Sequence, residues 1–155
     1  MKIALGADHA GYELKEKIKE YLEESAEHQG LDYGTYDRES VDYPDFAARV
    51  AWAVYRGECQ RGIAICGTGV GVAITANKFP GVRASLCTDN YTVRMARLHN
   101  NLNVLTLGAR SVGEGLALDL VLTFLNTPFE GGRHQRRLDK IEAIQQSNCK
   151  NRHDS

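Results

Sequence analysis

The segment Gly62-Ile63-Ala64-Ile65-Cys66, followed at once by Gly67-Thr68-Gly69-Val70-Gly71, constrains this chain more than any other stretch. A short apolar run that ends in a glycine-rich turn and opens into a helix-compatible segment, VAITANKF, reads as strand, turn and helix of an α/β sheet. Glycines in such a turn let backbone N–H groups face a bound anion, and the next helix's N-terminus adds its positive dipole end. The same field favours negative charge on sulfur, so Cys66 stands where a cysteine can serve as base or nucleophile. A buried cysteine at an ordinary strand end is the alternative.

The rest of the chain repeats the alternation. Strands are expected at Lys2 to Ala7, Gly30 to Tyr36 (polar, hence an edge), Gly62 to Cys66, Val82 to Cys87 and Asn103 to Leu107. Between them fall helix-period stretches carrying Leu14, Ile18 and Leu22; Phe46, Val50 and Val54 after Pro44; and Tyr91, Met95 and Leu98. Ser111-Val112-Gly113-Glu114 has the capping-box pattern for a helix holding Leu116, Leu120 and Phe124, and asparagine at 100–101 suits a left-handed helix end. A last helix is expected from Arg133 to Gln146. The expected architecture is a three-layer αβα, Rossmann-like fold with a five-stranded parallel sheet and an extra C-terminal helix. At 155 residues one domain suffices, placed at 1–147 with a flexible tail at 148–155.

In an open α/β sheet, ligands bind outside the carboxyl ends of the strands. That edge carries Asp8 and His9 after the first strand, Cys66-Gly67-Thr68 after the third, and Arg110 after the fifth. An acid, a base, a hydroxyl and cations thus converge on one crevice. Taken singly, Asp8 is equally a helix cap, His9 a solvated first-turn residue and Arg110 a surface arginine. Arg133 and Arg137 stand i, i+4 on the last helix, sharing a face that Ile141 and Ile144 continue. Two planar forks there make a phosphate clamp directed toward packed protein, with a basic solvated turn as the alternative.

His99 and Asn100 close a crossover helix, which runs antiparallel to the strands, so they belong to the opposite edge of the sheet from Cys66. Either His99 is only a cation at a helix C-terminus, or it acts in a neighbouring subunit's site.

Charge limits the partners. Lys and Arg number 19 against 20 Asp and Glu, a formal charge of -1, so no global field draws nucleic acid or an anionic membrane, and a phosphate site must be local. No apolar run approaches the roughly 18 residues of a membrane span, and MKIALGAD lacks a signal-peptide layout. The four cysteines form no CxxC pair and no zinc-spaced cluster, so reduced thiols, no metal and a cytoplasmic location are expected.

With GADHAG, SVDYPDFA, CGTGVG, His99-Asn100, NVLTLGAR and EGGRHQRR in place, the chain closely resembles the type B ribose-5-phosphate isomerases, in the family that also contains galactose-6-phosphate isomerase. The resemblance implies an aldose-ketose isomerase of the non-oxidative pentose phosphate pathway, working through a cis-enediolate without metal or organic cofactor. It implies a homodimer with a shared site and leaves further pairing into tetramers open. Cys66 looks like the base between C2 and C1, and Thr68 like the group that moves protons among the oxygens. His99 resembles the acid/base for ring opening, with Asp8 on the sugar hydroxyls. Gly67, Gly69 and Gly71, with Asn100, look like the anion hole, and Tyr43 like a pocket wall. His9, Arg110, Arg133 and Arg137 look like the phosphate ligands, the last two in trans. His134 matches the family pattern without an assigned role.

Two departures are a more polar 26–38 segment and a tail after Gln146 that matches nothing. Among rivals, a dinucleotide-binding module fails because Val72 stands where the third small residue of the fingerprint belongs. A cysteine phosphatase fails because Val72 again replaces the arginine of C-x5-R. A non-catalytic sugar-phosphate sensor, and a hexose isomerase acting on allose 6-phosphate or galactose 6-phosphate, remain as alternatives to ribose 5-phosphate.

Overall fold

Alternation along two strands sorts the side chains of the sheet. In the computed structural model, which describes residues 1–151 and side chains through 148, Ile3, Leu5, Ala7, Ile63 and Ile65 face one apolar cluster. Ala4, Ala64 and Cys66 face the other. The period of two is the pleat itself. These residues lie on β1 (Lys2–Ala7) and β3 (Arg61–Cys66), the centre of a five-stranded parallel sheet with β2 (Gln29–Asp32), β4 (Ala84–Leu86) and β5 (Val104–Gly108) in the order β2-β1-β3-β5-β4.

The large-residue face packs against α1 (Tyr12–Glu24), α4 (Asn90–Asn100) and α5 (Glu114–Asn126), through Leu14, Ile18, Leu22, Val93, Leu120 and Phe124. The small-residue face admits α2 (Tyr43–Tyr55) closely, with Val50 and Ala51 fully buried, and α3 (Val70–Ala76) beside it. An additional helix, α6 (Arg133–Asn151), lies against α4. This is the three-layer arrangement expected from the alternation. Because β2 lies to one side of β1 and every later strand to the other, the chain reverses direction between β1 and β3, and their carboxyl ends open a crevice.

Several local expectations need correction. The edge strand β2 stops at Asp32 rather than Tyr36, because the Asp32 carboxylate accepts the Gly34 N–H at 2.9 Å and turns the chain. Strand β4 is shorter than expected because Asn77 takes both backbone groups of Ala84, and the Asn103 side chain takes the Arg83 N–H at 2.7 Å. The apolar stripe foreseen on α4 is not its buried face: Tyr91 is 74% exposed, and Val93 and Arg97 are buried instead. The capping box before α5 does not form. Gly113 occupies the cap, and the Ser111 hydroxyl donates to the Gly108 carbonyl at 3.1 Å. Asn101 does adopt the left-handed conformation that closes α4, at φ 46°. Helix α6 continues past Gln146 to Asn151, and the rest of the expected tail lies outside the described residues.

Candidate active site

Three adjacent strand ends build the crevice, and backbone hydrogen bonds lock them together. The Asp8 N–H donates to the Ile65 carbonyl at 3.2 Å, joining the β1 and β3 loops. The Ala109 and Arg110 N–H groups donate to Cys66 and Gly67 at 2.9 and 3.0 Å, joining the β3 and β5 loops. Asp8, His9, Cys66, Gly67, Thr68 and Arg110 are thereby gathered at one edge, as their strand positions predict.

Cys66 ends β3 on the small-residue face and is 5% exposed. The Gly69 N–H donates to its sulfur at 3.1 Å. A backbone N–H aimed at the sulfur is a contact that a thiolate, the form able to take a proton, accepts. The turn demands glycine at 69: φ is 81°, and a Cβ would stand 2.8 Å from the Leu107 carbonyl carbon. At Gly71 a Cβ would stand 2.5 Å from the Tyr43 ring, so that ring lies directly on the turn. Helix α3 has only seven residues, shorter than VAITANKF suggests, so the N–H groups of the turn itself are the principal local donors.

The surrounding polar groups are oriented. Asp8 is 7% exposed and its Oδ1 accepts the Gly11 N–H at 3.0 Å, so it braces the turn entering α1, whose cap residue is Gly11. His9 Nδ1 accepts the Val41 N–H at 3.2 Å, which assigns the proton of the neutral ring to Nε2 and leaves that nitrogen as a donor. Arg110 is exposed, with its guanidinium lying over Gly67. Thr68 is exposed beside it, its hydroxyl accepting the Val70 N–H at 3.4 Å.

The remaining predicted residues form a second group at the other end of the sheet. His99 and Asn100 end α4 shortly before β5 begins, whereas Arg110 follows its carboxyl end. Five strand residues separate the two groups by roughly 13 Å or more. Arg133 and Arg137, at the start of α6, stand with His99 rather than with Cys66. The His99 and His134 rings stack at 4.2 Å between centroids, and Arg133 Nε approaches His134 Nε2 at 3.4 Å. Both arginines are exposed, and Ile141 and Ile144 on the same helix are 54% and 61% exposed. The expectation that this face meets packed protein therefore does not hold within one protomer. Leu138 and His134 are the buried face of α6.

Sequence reasoning missed two residues here. Arg97, 4% exposed, donates to the carbonyls of Thr127 and Leu102 and to the Asn101 side chain, clamping the turn that presents His99. Burial, with Arg61 and Arg83 nearby, lowers its guanidinium to about 10. Glu130 places a carboxylate oxygen 3.2 Å from His134 Nε2. Burial, then His99 and Arg133, pushes the His134 imidazole below the usual histidine range against the pull of Glu130. The i, i+4 spacing of Glu130 and His134 was the available signal.

Residues 3–141 match the model of the Ribose/Galactose Isomerase family. The chain is 48% identical to ribose-5-phosphate isomerase B of Escherichia coli strain K12 over 145 residues, 94% of this chain and 97% of that protein. Its structure superposes on that of Clostridium thermocellum ribose-5-phosphate isomerase B with a TM-score of 0.93 at 53% identity, covering 96% of this chain and 99% of the other. The Mycoplasma genitalium ribose-5-phosphate isomerase B, solved with bound ribulose-5-phosphate, gives 0.89 at 44% identity over 94% and 96% of the two chains.

Proposed function

The chain belongs to the ribose/galactose isomerase family, and from that premise we propose that it interconverts ribose 5-phosphate and ribulose 5-phosphate with Cys66 as the base. The observation that carries the assignment of the base is the Gly69 N–H directed at the Cys66 sulfur, at the reversal point of the sheet.

The chemistry is a proton relay with no net redox change. The Cys66 thiolate removes the hydrogen from C2 of the open-chain aldose, and the electron pair moves onto O1 to give the cis-enediolate. Thr68 carries a proton from O2 to O1. The Cys66 thiol then returns its proton to C1 as the C2 carbonyl forms. Backbone N–H groups of Gly67 and Gly71 serve the developing oxyanion, where each preorganised donor is worth about 3 kcal/mol, while the Gly69 N–H is committed to the Cys66 sulfur. Tyr43, whose ring lies against Gly71, walls the pocket. Asp8 holds the sugar hydroxyls, while His9, through Nε2, and Arg110 hold the phosphate.

The other half of the site is supplied by a second copy. Since His99, Asn100, Arg133 and Arg137 stand at the opposite edge from Cys66, the site is completed in a homodimer by His99 of the partner subunit for ring opening. Asn100 of the partner subunit completes the anion hole, and Arg133 and Arg137 of the partner subunit close on the phosphate. Two features support this reading: the exposed Ile141 and Ile144, and the groove of about 700 Å³ that they line with Val82, Leu102 and Leu138. The catalytic unit is one domain, which the sequence places at 1–147 and whose last helix, α6, continues to Asn151. The cytoplasm suits it: Cys59, Cys66 and Cys87 are free thiols, and no helix among the described residues is long and apolar enough to cross a membrane.

Pentose and hexose phosphates share the reacting end and differ in the reach from Cys66 to the arginines. Assaying ribose 5-phosphate, allose 6-phosphate and galactose 6-phosphate side by side tests the substrate. Ribose 5-phosphate is expected to give the highest kcat/KM; preference for a hexose phosphate overturns that choice.

A further inference from the structure

We propose that His99, Glu130 and His134 form a binding site for a divalent transition-metal ion of the zinc type, whose occupancy shuts off the isomerase. One imidazole nitrogen from each histidine and a Glu130 carboxylate oxygen all lie within 4.8 Å of one another. Two histidines and one carboxylate are a ligand set that zinc and cobalt(II) accept, leaving a fourth position for water.

The ligands are held from separate segments that are tied together. His99 sits in the last turn of α4, His134 in the first turn of α6, and Glu130 in the loop leading to α6. The Glu130 N–H donates to the Leu98 carbonyl at 3.1 Å, and the His134 N–H to Gly131 at 3.0 Å. Arg97 fixes the same loop through the Thr127 carbonyl at 3.0 Å. His134 is 4% exposed, while Glu130 opens the cluster to solvent with a side chain 49% exposed.

Closure on an ion requires small, identifiable movements. Metal–nitrogen bonds of about 2.0–2.1 Å set ligand atoms roughly 3.3 Å apart in a tetrahedron, so the 4.8 Å cluster must contract. The two rings, stacked within 11° of parallel, must tilt apart so that both in-plane lone pairs converge. Arg133 must withdraw its Nε from the 3.4 Å contact with His134, which its exposed side chain permits.

The inhibitory consequence rests on the proposed function, in which His99 opens the furanose ring. A metal on that imidazole occupies the lone pair that would handle the proton, and it stands where the partner's bound sugar phosphate must enter.

Cobalt(II) titration of the full chain tests the site without turnover. Wild type is expected to develop the intense visible bands of tetrahedral cobalt at one equivalent per chain, abolished by excess zinc. Glu130→Gln, at an exposed position, should weaken binding by roughly tenfold or more, and His134→Asn likewise. In the activity assay, zinc should inhibit wild type competitively with ribose 5-phosphate. Glu130→Gln should keep the metal-free rate and need at least tenfold more zinc for the same inhibition. No tetrahedral spectrum in wild type, or a spectrum unchanged in Glu130→Gln, overturns the site. Equal zinc sensitivity in wild type and Glu130→Gln overturns the inhibition and points to Cys66 instead. If the protein fails to isomerise ribose 5-phosphate, the spectrum still decides the site, so the two failures are distinguishable.

Discussion

The backbone N–H of Gly69 donates to the sulfur of Cys66 across 3.1 Å, closing the four-residue turn 66–69 at the end of β3. The left-handed backbone at Gly69 carries the chain from that donor directly into α3, so a side chain at 69 would displace the donor and the turn together.

Gly69→Ala should therefore damage both stability and rate. Its φ of 81° is costly for alanine, and the new Cβ would meet backbone at 2.8 and 3.0 Å. A loss of about 2 kcal/mol or more is expected, lowering Tm by several degrees. Gly57→Ala is the control, because φ there is 72° with nothing within 4 Å, and strain alone of about 1 kcal/mol should appear. Urea unfolding of both variants measures the difference.

Asp32 links stability to pH. Burial raises its carboxyl, but hydrogen bonds from Lys15 and the Gly34 N–H, with Lys15 charge and Lys19, outweigh burial and hold it below the usual carboxylate range. A carboxyl depressed in the fold contributes stability that is full above the unfolded value of about 3.9 and lost as pH falls through the folded one. Acid unfolding of wild type should steepen below about pH 4, and Asp32→Asn should flatten that slope. Lys15, fully buried with Asp32 at 2.6 Å, makes the reverse variant costly: Lys15→Met should destabilise by about 3 kcal/mol, because Asp32 keeps only the more exposed Lys19 at 3.2 Å as its cation.

Arg137→Ala should chiefly raise KM. A desolvated guanidinium-phosphate contact is worth about 2 kcal/mol or more, or roughly thirtyfold in KM, with kcat little changed. Steady-state kinetics with ribose 5-phosphate measures it; an unaltered KM removes Arg137 from the clamp.

The shared site predicts complementation. Cys66→Ala and His99→Asn should each be inactive alone, yet a co-expressed mixture should regain about a quarter of the wild-type sites, since each mixed dimer rebuilds one intact site of two. A mixture that stays inactive while mixed dimers are detected would place Cys66 and His99 in the same protomer's site.

How much of the fold and site was legible in the sequence depends on where each signal resides. β1, β3 and β5 are visible because apolar runs at buried strands need no partner to be recognised, and with them come Asp8, Cys66 and Arg110 at their ends. Helix α4 misled because periodicity counts apolar residues, whereas its buried face holds Arg97, made tolerable by carbonyls from Thr127 and Leu102 that no local pattern announces. Ser111 resembles a cap but has a nearer acceptor in Gly108. The separation of His99 from Cys66 was readable because it follows from chain direction alone. The His134–His99 stack was not, since it depends on where the loop before α6 lays its first turn.

The most direct measurement is the Cys66→Ala variant, followed both by isomerisation of ribose 5-phosphate and by calorimetric binding of the same sugar. Loss of a general base predicts turnover lower by roughly a hundredfold to ten-thousandfold, with binding retained. Turnover close to wild type would remove Cys66 from the chemistry and leave the transfer of hydrogen from C2 to C1 to a different base.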